Sequence, residues 1–246
     1  MKPSQANAAT LEARPRGAWG LPRLQLSNSS IEALKWFGLV LMTGDHINKY
    51  LLHAAVAPLF YPGRTVMPIF AIVLGFNLAR PGTLARGTYG RAIKHMAITA
   101  AIASIPFVAL GGLGWGWWPL NIMASFALAA ASMYLLERGG TGRVVTAVVL
   151  LVVGGLFVEY WWAGLGIAMA AWSYARRPNW LALLLAALAF VGLHLVNSNW
   201  WALAALPVVV SASAVDLRVP RVRWIFYAYY PAHLAAIYAL RAVMVQ

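Results

Sequence analysis

The sequence predicts an all-α fold: a polytopic membrane helix bundle of about nine transmembrane helices with its N-terminus in the cytoplasm. Three observations carry the prediction. Of the 246 residues, 62% are hydrophobic and 10% charged, whereas a soluble domain is about half apolar and about a quarter charged. Apolar runs of roughly membrane-spanning length recur, separated by turn chemistry. Lysine and arginine gather in alternate turns, as the positive-inside rule requires.

Residues 1–30 contain Lys2, Arg14, Arg16 and Arg23 but no apolar core of signal-peptide length, so they read as a polar cytoplasmic tail. Residues 31–246 read as a single transmembrane domain. The first run, 31–53, stops before Ala57-Pro58 and Pro62-Gly63, which mark a turn, and the second, 64–80, stops at Arg80-Pro-Gly. The third, 91–111, ends at Gly111-Gly112, and the fourth, 117–136, ends before Arg138-Gly-Gly. Runs five and six, 143–158 and 160–175, meet so tightly at Glu159 that they form an antiparallel hairpin. Arg176-Arg-Pro-Asn closes that pair. Runs seven and eight, 180–197 and 199–215, make a second hairpin at Ser198, and Arg218-Val-Pro precedes the last run, 223–243. The shortest runs leave re-entrant segments open.

With the N-terminus inside, 16 of the 19 basic residues fall on the cytoplasmic side, leaving Lys49, Arg64 and Arg241 outside. That topology accounts for the formal net charge of +13, so no nucleic-acid partner is expected. The chain has no cysteine, which excludes disulfides, thiolate nucleophiles and cysteine metal sites; no metal is expected. The outer turns are aromatic (Trp115, Trp117 and Trp118; Tyr160 to Trp162; Trp200 and Trp201) and read as interfacial belts.

Polar residues within the spans need a separate account. Each ionisable group in hydrocarbon costs about 2.5–3.5 kcal/mol on insertion scales, so such groups mark functional sites. In the first span Met42, Asp45, His46, Lys49 and His53 share one helical face. Asp45 and Lys49 are spaced as an i,i+4 ion pair. Asp45 does not reach its neighbour His46 directly, because successive side chains diverge by about 100° around a helix. His46 lies about 22 Å along the helix from Ile31, in the outer half of the bilayer. Two readings stand. The stripe is structural, with a neutralised pair and a histidine bonded to another helix, or His46 is a general base near neutral pH. Arg64, Asn121, Glu159 and Tyr160 fall at the same outer depth, with Arg64 the expected partner of Glu159. In the last span Tyr227, Tyr230 and His233 form a polar stripe beside Pro231, which removes a backbone bond. His95 and His194 read as structural.

These segments resemble the TraX family of conjugal-transfer membrane proteins. The resemblance rests on Leu34-Lys-Trp, Met42-Thr-Gly-Asp-His-Ile-Asn, Arg64, Met67-Pro-Ile-Phe, Asn121, Glu159-Tyr-Trp-Trp-Ala-Gly and Phe226-Tyr-Ala-Tyr-Tyr-Pro-Ala-His-Leu, in that order, over about 31–240. Gly44 before the Asp-His pair and Asn48-Lys49 after it are similar to the TrbP type of broad-host-range plasmids. Glu159 stands where Asp is more usual in the family, and Ala163 where Gly is.

The resemblance implies a protein of the bacterial inner membrane that N-acetylates the conjugative pilin subunit, with acetyl-CoA as donor and pilin and the lipid bilayer as partners. It maps Asp45 and His46 onto the first-helix motif, and Tyr230 and His233 onto the last. His46 would be general base or acyl carrier, tuned by Asp45, with His233 and Tyr230 stabilising the oxyanion or holding substrate. Lys49, Arg64, Asn121, Glu159 and Tyr160 would receive the pilin terminus. A cytoplasmic rim of Arg80, Arg91 and Lys94 would hold the CoA diphosphate. A non-catalytic pilin assembly factor and a small-solute transporter are the alternatives.

Overall fold

A computed structural model describes residues 20–111, 113–215, 219–222 and 224–244. The tail 1–19, with Lys2, Arg14 and Arg16, lies outside the described residues, as do Arg218 and Arg223. The fold is a helical bundle: α1 (Asn28–Tyr50), α2 (Ala57–Gly63), α3 (Val66–Leu78), α4 (Thr88–Leu110), α5 (Ile122–Arg138), α6 (Thr141–Gly154), α7 (Trp161–Arg176), α8 (Trp180–Asn197), a 3₁₀ turn (Trp201–Ala204) leading into α9 (Ala205–Ala214), and α10 (Ile225–Met244). Taking α2 with α3, and the 3₁₀ turn with α9, the described residues hold one helical passage for each predicted run.

Local chemistry explains the boundaries, and corrects some. Ser27 caps α1 by accepting from the Ser30 amide at 3.0 Å. Residues 57–63, expected as a turn, are the short helix α2. Pro58 sits in its first turn, where a missing N–H leaves no helical bond unmade. Pro62 lies inside it, and the chain breaks at Arg64–Thr65 before α3 begins. The run expected from 117 becomes helical only at Ile122, because Asn121 caps α5 with its side-chain oxygen on the Met123 amide, 3.1 Å away. The run expected to reach 158 stops at Gly154-Gly155, and residues 156–160 turn back toward the loop before α5. There the Leu120 amide donates to the Phe157 carbonyl (2.7 Å) and the Glu159 amide to the Leu120 carbonyl (2.9 Å), tying the two turns together.

The centre of the bundle is the α3–α7 contact, with α5 and α8 also packed on α7. Ile69, Ala71, Met133 and Ala168 are fully enclosed there. Gly75 permits the approach: a Cβ at that position would lie 2.7 Å from the Trp172 amide nitrogen and 2.8 Å from the Ala168 carbonyl oxygen. At the same end, the Leu78 carbonyl, left over at the C-terminus of α3, accepts from Tyr89 Oη (2.9 Å) and Thr83 Oγ1 (3.0 Å). Trp172 donates to the same Tyr89 oxygen at 2.9 Å. At the opposite end Arg241 donates to the Leu110 carbonyl, joining α10 to α4.

The outer faces are apolar. Only Ala147 of α6 is buried, and the exposed residues of α4, α6 and α8 include Ile105, Val148, Val152, Leu181 and Leu195. Among the described residues, Ala57–Leu78, Thr88–Leu110 and Trp180–Asn197 are long and apolar enough to cross a membrane. Helix α1 equals α4 in length but carries Glu32, Lys35, Asp45 and Lys49. The first two neutralise each other at 2.7 Å.

Because a backbone amide and carbonyl cannot step aside for a methyl group, Gly75→Ala is expected to lower stability by about 1–3 kcal/mol. Gly90→Ala, in a helix with nothing within 4 Å of the new methyl, is expected to be neutral or slightly stabilising. Thermal unfolding of both variants in detergent checks the contrast.

Candidate functional site

Four elements meet where α1 ends. Helix α1 brings Asp45, His46, Lys49 and Tyr50, the following loop Ala54, α2 and its break Phe60 and Arg64, and the turn before α7 Glu159 and Tyr160. Together they line a cavity of about 230 Å³. Its frame is held locally. Asn48, fully buried, accepts from the Val56 amide (2.9 Å) and donates to the Val56 carbonyl (3.1 Å), clamping the loop. His53 and Ala54 take left-handed backbone conformations within that clamp. Ser125 donates to the Glu159 carbonyl at 3.1 Å and fixes the turn on the other side.

Asp45 is paired with Arg64, whose Nη2 lies 2.5 Å from both carboxylate oxygens. This corrects two expectations: Asp45 does not take Lys49, and Arg64 does not take Glu159. Gly63 allows the pairing, since a Cβ there would fall 2.5 Å from Asp45 Cβ. The Asp45 carboxylate makes no bond to His46 among the described residues. Arg64 Nε is buried without a hydrogen-bond partner among them, an unmet donor enclosed by the protein. Lys49 lies with Nζ 4.8 Å from the centre of the Tyr50 ring and is otherwise exposed. Lys49 and Arg64 are the cations that act on Glu159 electrostatically.

His46 is oriented by another histidine. Its Nδ1 lies 2.7 Å from His233 Nε2, with the two rings 2° from coplanar. His233 Nδ1 lies 3.0 Å from the Tyr229 carbonyl oxygen. A carbonyl only accepts, so His233 Nδ1 carries the proton. In the neutral pair His233 Nε2 must then accept from His46 Nδ1–H, which leaves the lone pair on His46 Nε2. Among the described residues nothing bonds that atom. The chain of carbonyl, imidazole and imidazole thus presents one unprotonated nitrogen at the cavity wall, and the arrangement suits proton abstraction or nucleophilic attack. Tyr229 closes the assembly from behind: its ring stacks on His233 at 5.2 Å, and its hydroxyl shares a 2.7 Å bond with Thr43 on α1.

The other expected residues lie elsewhere. Tyr230 is buried in a cluster with Phe107, Leu110, Ile237 and the cavity residue Tyr50, and its ring packs tilted on His233. The polar partner on α10 is Tyr229, four residues before His233 and one helical turn away. Asn121 is fully enclosed: besides capping α5 it donates to the Ala100 carbonyl (2.8 Å) and Ser104 Oγ (3.0 Å), so its side chain serves the frame and not a substrate. An Asn immediately before an apolar helical run is itself a cap signal. Tyr50, Phe60 and Tyr229 belong to the site without having been singled out. Arg80, Arg91 and Lys94 do not form one rim. Arg80 bonds Asn28 and the Leu26 carbonyl beside a second cavity, Arg91 contacts Thr88 at 3.5 Å, and Lys94 is exposed. That cavity is at the far end of α1, about 27 Å from His46 by helical rise. Among the described residues no three His, Asp or Glu side chains converge as metal ligands.

Comparison with known proteins gives this constellation a family. A family model described as "TraX protein" matches residues 30–241. The chain belongs to the TraX family. A protein named TraX from Escherichia coli is 30% identical over 219 residues, covering 84% of this chain and 85% of its own length. A second, from Escherichia coli strain K12 and also named Protein TraX, is 28% identical over 198 residues, covering 78% and 77%. No solved structure matches. With three apolar helices of membrane-crossing length, this TraX chain is a membrane protein. The family places it in conjugal transfer.

Removing one partner of the Asp45–Arg64 pair leaves a charge in an apolar bundle, at a cost of about 3–5 kcal/mol. Arg64→Gln is therefore expected to lower the unfolding temperature markedly. Adding Asp45→Asn to Arg64→Gln is expected to restore part of the loss. Equal unfolding temperatures for the single and double variants would show that the pair is not what Arg64 contributes.

Proposed function

We propose that this protein is an inner-membrane acetyltransferase of the conjugation apparatus, one that acetylates the N-terminus of the pilin subunit with acetyl-CoA as donor. The observation that supports the reading best is the tautomer imposed on His46. A histidine needed only for packing has no use for two linked hydrogen bonds that leave Nε2 bare at a polar cavity. The topology that suits this role has nine passages, the N-terminus inside, and the His46 cavity toward the outer face, where a processed pilin displays its new terminus.

The residues divide the work by charge. Glu159 attracts the incoming α-ammonium and takes one proton from it, leaving the neutral amine that attacks, and Lys49 lies beside the carboxylate. His46 Nε2 accepts the proton of the attacking amine as the C–N bond forms and the C–S bond of the thioester breaks, then returns it to the departing thiolate. Should transfer run in two steps, the same nitrogen carries the acetyl group. The bond from His46 Nδ1–H to His233 steadies the imidazolium in either route, and the charge of Arg64, a residue of the cavity wall, favours the developing oxyanion. Asp45 acts by holding Arg64 in place, and this replaces its expected direct tuning of the histidine.

Intact-mass spectrometry of the cognate pilin tests the proposal. The wild-type protein is expected to give a pilin heavier by one acetyl group, and His46→Ala an unmodified one at equal membrane abundance. His233→Gln, whose amide can still donate to the Tyr229 carbonyl and accept from His46, is expected to retain more activity than His233→Ala. The latter should lose about 10²–10⁴-fold, as for a mispositioned general base. Undiminished acetylation in His46→Ala would sink the assignment. Pilin binding with no acetyl group in any strain would point to the assembly-factor reading.

A further inference from the structure

The second cavity lies at the opposite end of the bundle, with a volume of about 1,080 Å³. Its walls come from the segment before α1, the end of α3 with the following loop, the last residue but one of α5, and the α7–α8 turn. Four guanidinium groups line it, those of Arg23, Arg80, Arg176 and Arg177, against one carboxylate, Glu137. Arg176 and Glu137 neutralise each other at 2.8 Å. Arg80 is committed to the wall, donating to Asn28 and to the Leu26 carbonyl. The side chains of Arg23 and Arg177 make no bond to the protein among the described residues.

The wall itself is built. Tyr174 donates to the Pro22 carbonyl at 2.5 Å, so Arg80 and Tyr174 together strap residues 22–28 across this end of the bundle. A topological preference alone would put arginines in these turns, but it does not require them to line one open cleft. The tail 1–19 is a poor occupant, since it brings Lys2, Arg14 and Arg16 and no acidic residue but Glu12.

We infer that this cavity binds a phosphoester anion of nucleotide size. The volume matches pockets that enclose ligands of that class. Guanidinium groups recognise phosphate through paired N–H donors, and Arg23 and Arg177 have theirs free. Taking the ligand to be the phosphates of CoA rests on the acetyltransferase reading; the anion site itself does not. An anionic phospholipid headgroup offers the same chemistry.

The test uses the full-length protein in nanodiscs. In zwitterionic phosphatidylcholine discs, equilibrium dialysis with CoA is expected to show binding that the double variant Arg23→Gln/Arg177→Gln weakens by about tenfold or more. Lys94→Gln, an exposed position outside the cavity lining, is expected to bind as tightly as wild type. In a second arm, native mass spectrometry from phosphatidylglycerol discs compares lipid retained by wild type and the double variant. Retention lost in the variant, with no CoA binding, would support the anion site and assign it to a headgroup. Equal CoA binding and equal lipid retention in the two proteins would overturn the inference. Failure of the acetyltransferase reading would show separately, as pilin acetylation that His46→Ala leaves intact.

Discussion

A polar side chain inside an apolar bundle persists only where another polar group meets it, because no water is there to take the partner's place. The end of α1 meets that requirement three times. Asp45 meets Arg64 across the α2–α3 break, His46 meets His233, and Thr43 meets Tyr229. The first pairing joins α1 to the α2–α3 break and the other two join it to α10, so satisfying the polar groups and packing these helices are one event. The α2–α3 break, Gly63 and the Asn48 clamp follow from it, since Arg64 reaches Asp45 only if the chain turns close against α1.

The same constraint shapes the chemistry. In a hydrolase-type triad a carboxylate orients the catalytic histidine. Here the carboxylate beside the histidine in sequence is spent on an arginine, and a second imidazole takes the orienting place. The orientation then comes from a backbone carbonyl, which cannot change its protonation state, through His233 to His46. An apolar bundle tolerates that arrangement more easily than a second buried carboxylate, because a neutral pair carries no net charge into the low-dielectric interior. Among the described residues Glu159 makes no close ion pair, and its carboxylate is held by the Ile122 amide.

Much of the bundle was legible in the sequence because a membrane span needs a long apolar run and a turn needs particular residues. The turns at Glu159 and Ser198 and the stops at Arg80-Pro-Gly and Arg138-Gly-Gly fall where those signals put them. The two expected hairpins do not form: α6 barely touches α7 and α8 barely touches α9, while α5 packs on α6 and α7 on α8. Proline misled at α2, since Pro58 and Pro62 look like turn residues although the first helical turn accepts one without loss. Within the site, helical periodicity correctly put Asp45, His46 and Lys49 together. It could not choose partners across helices. Asp45 has a well-spaced lysine on its own helix and takes an arginine 19 residues away, because the close packing of Gly63 decides which cation is nearer. Tyr229 joins Tyr230 against the His233 ring, and only the crossing of α10 on α1 brings its hydroxyl to Thr43. Asn121 shows the opposite error, a buried polar residue read as functional when its position before Ile122 already marked it as a cap.

The most direct test of the central claim is ¹⁵N NMR of the histidine side chains in the full-length protein at neutral pH, with His46 and His233 assigned from single substitutions. The account predicts that His46 is protonated at Nδ1 and bare at Nε2, with His233 protonated at Nδ1 as well. A spectrum with the His46 proton on Nε2 would contradict it, because the nitrogen facing the cavity would then have no lone pair to offer.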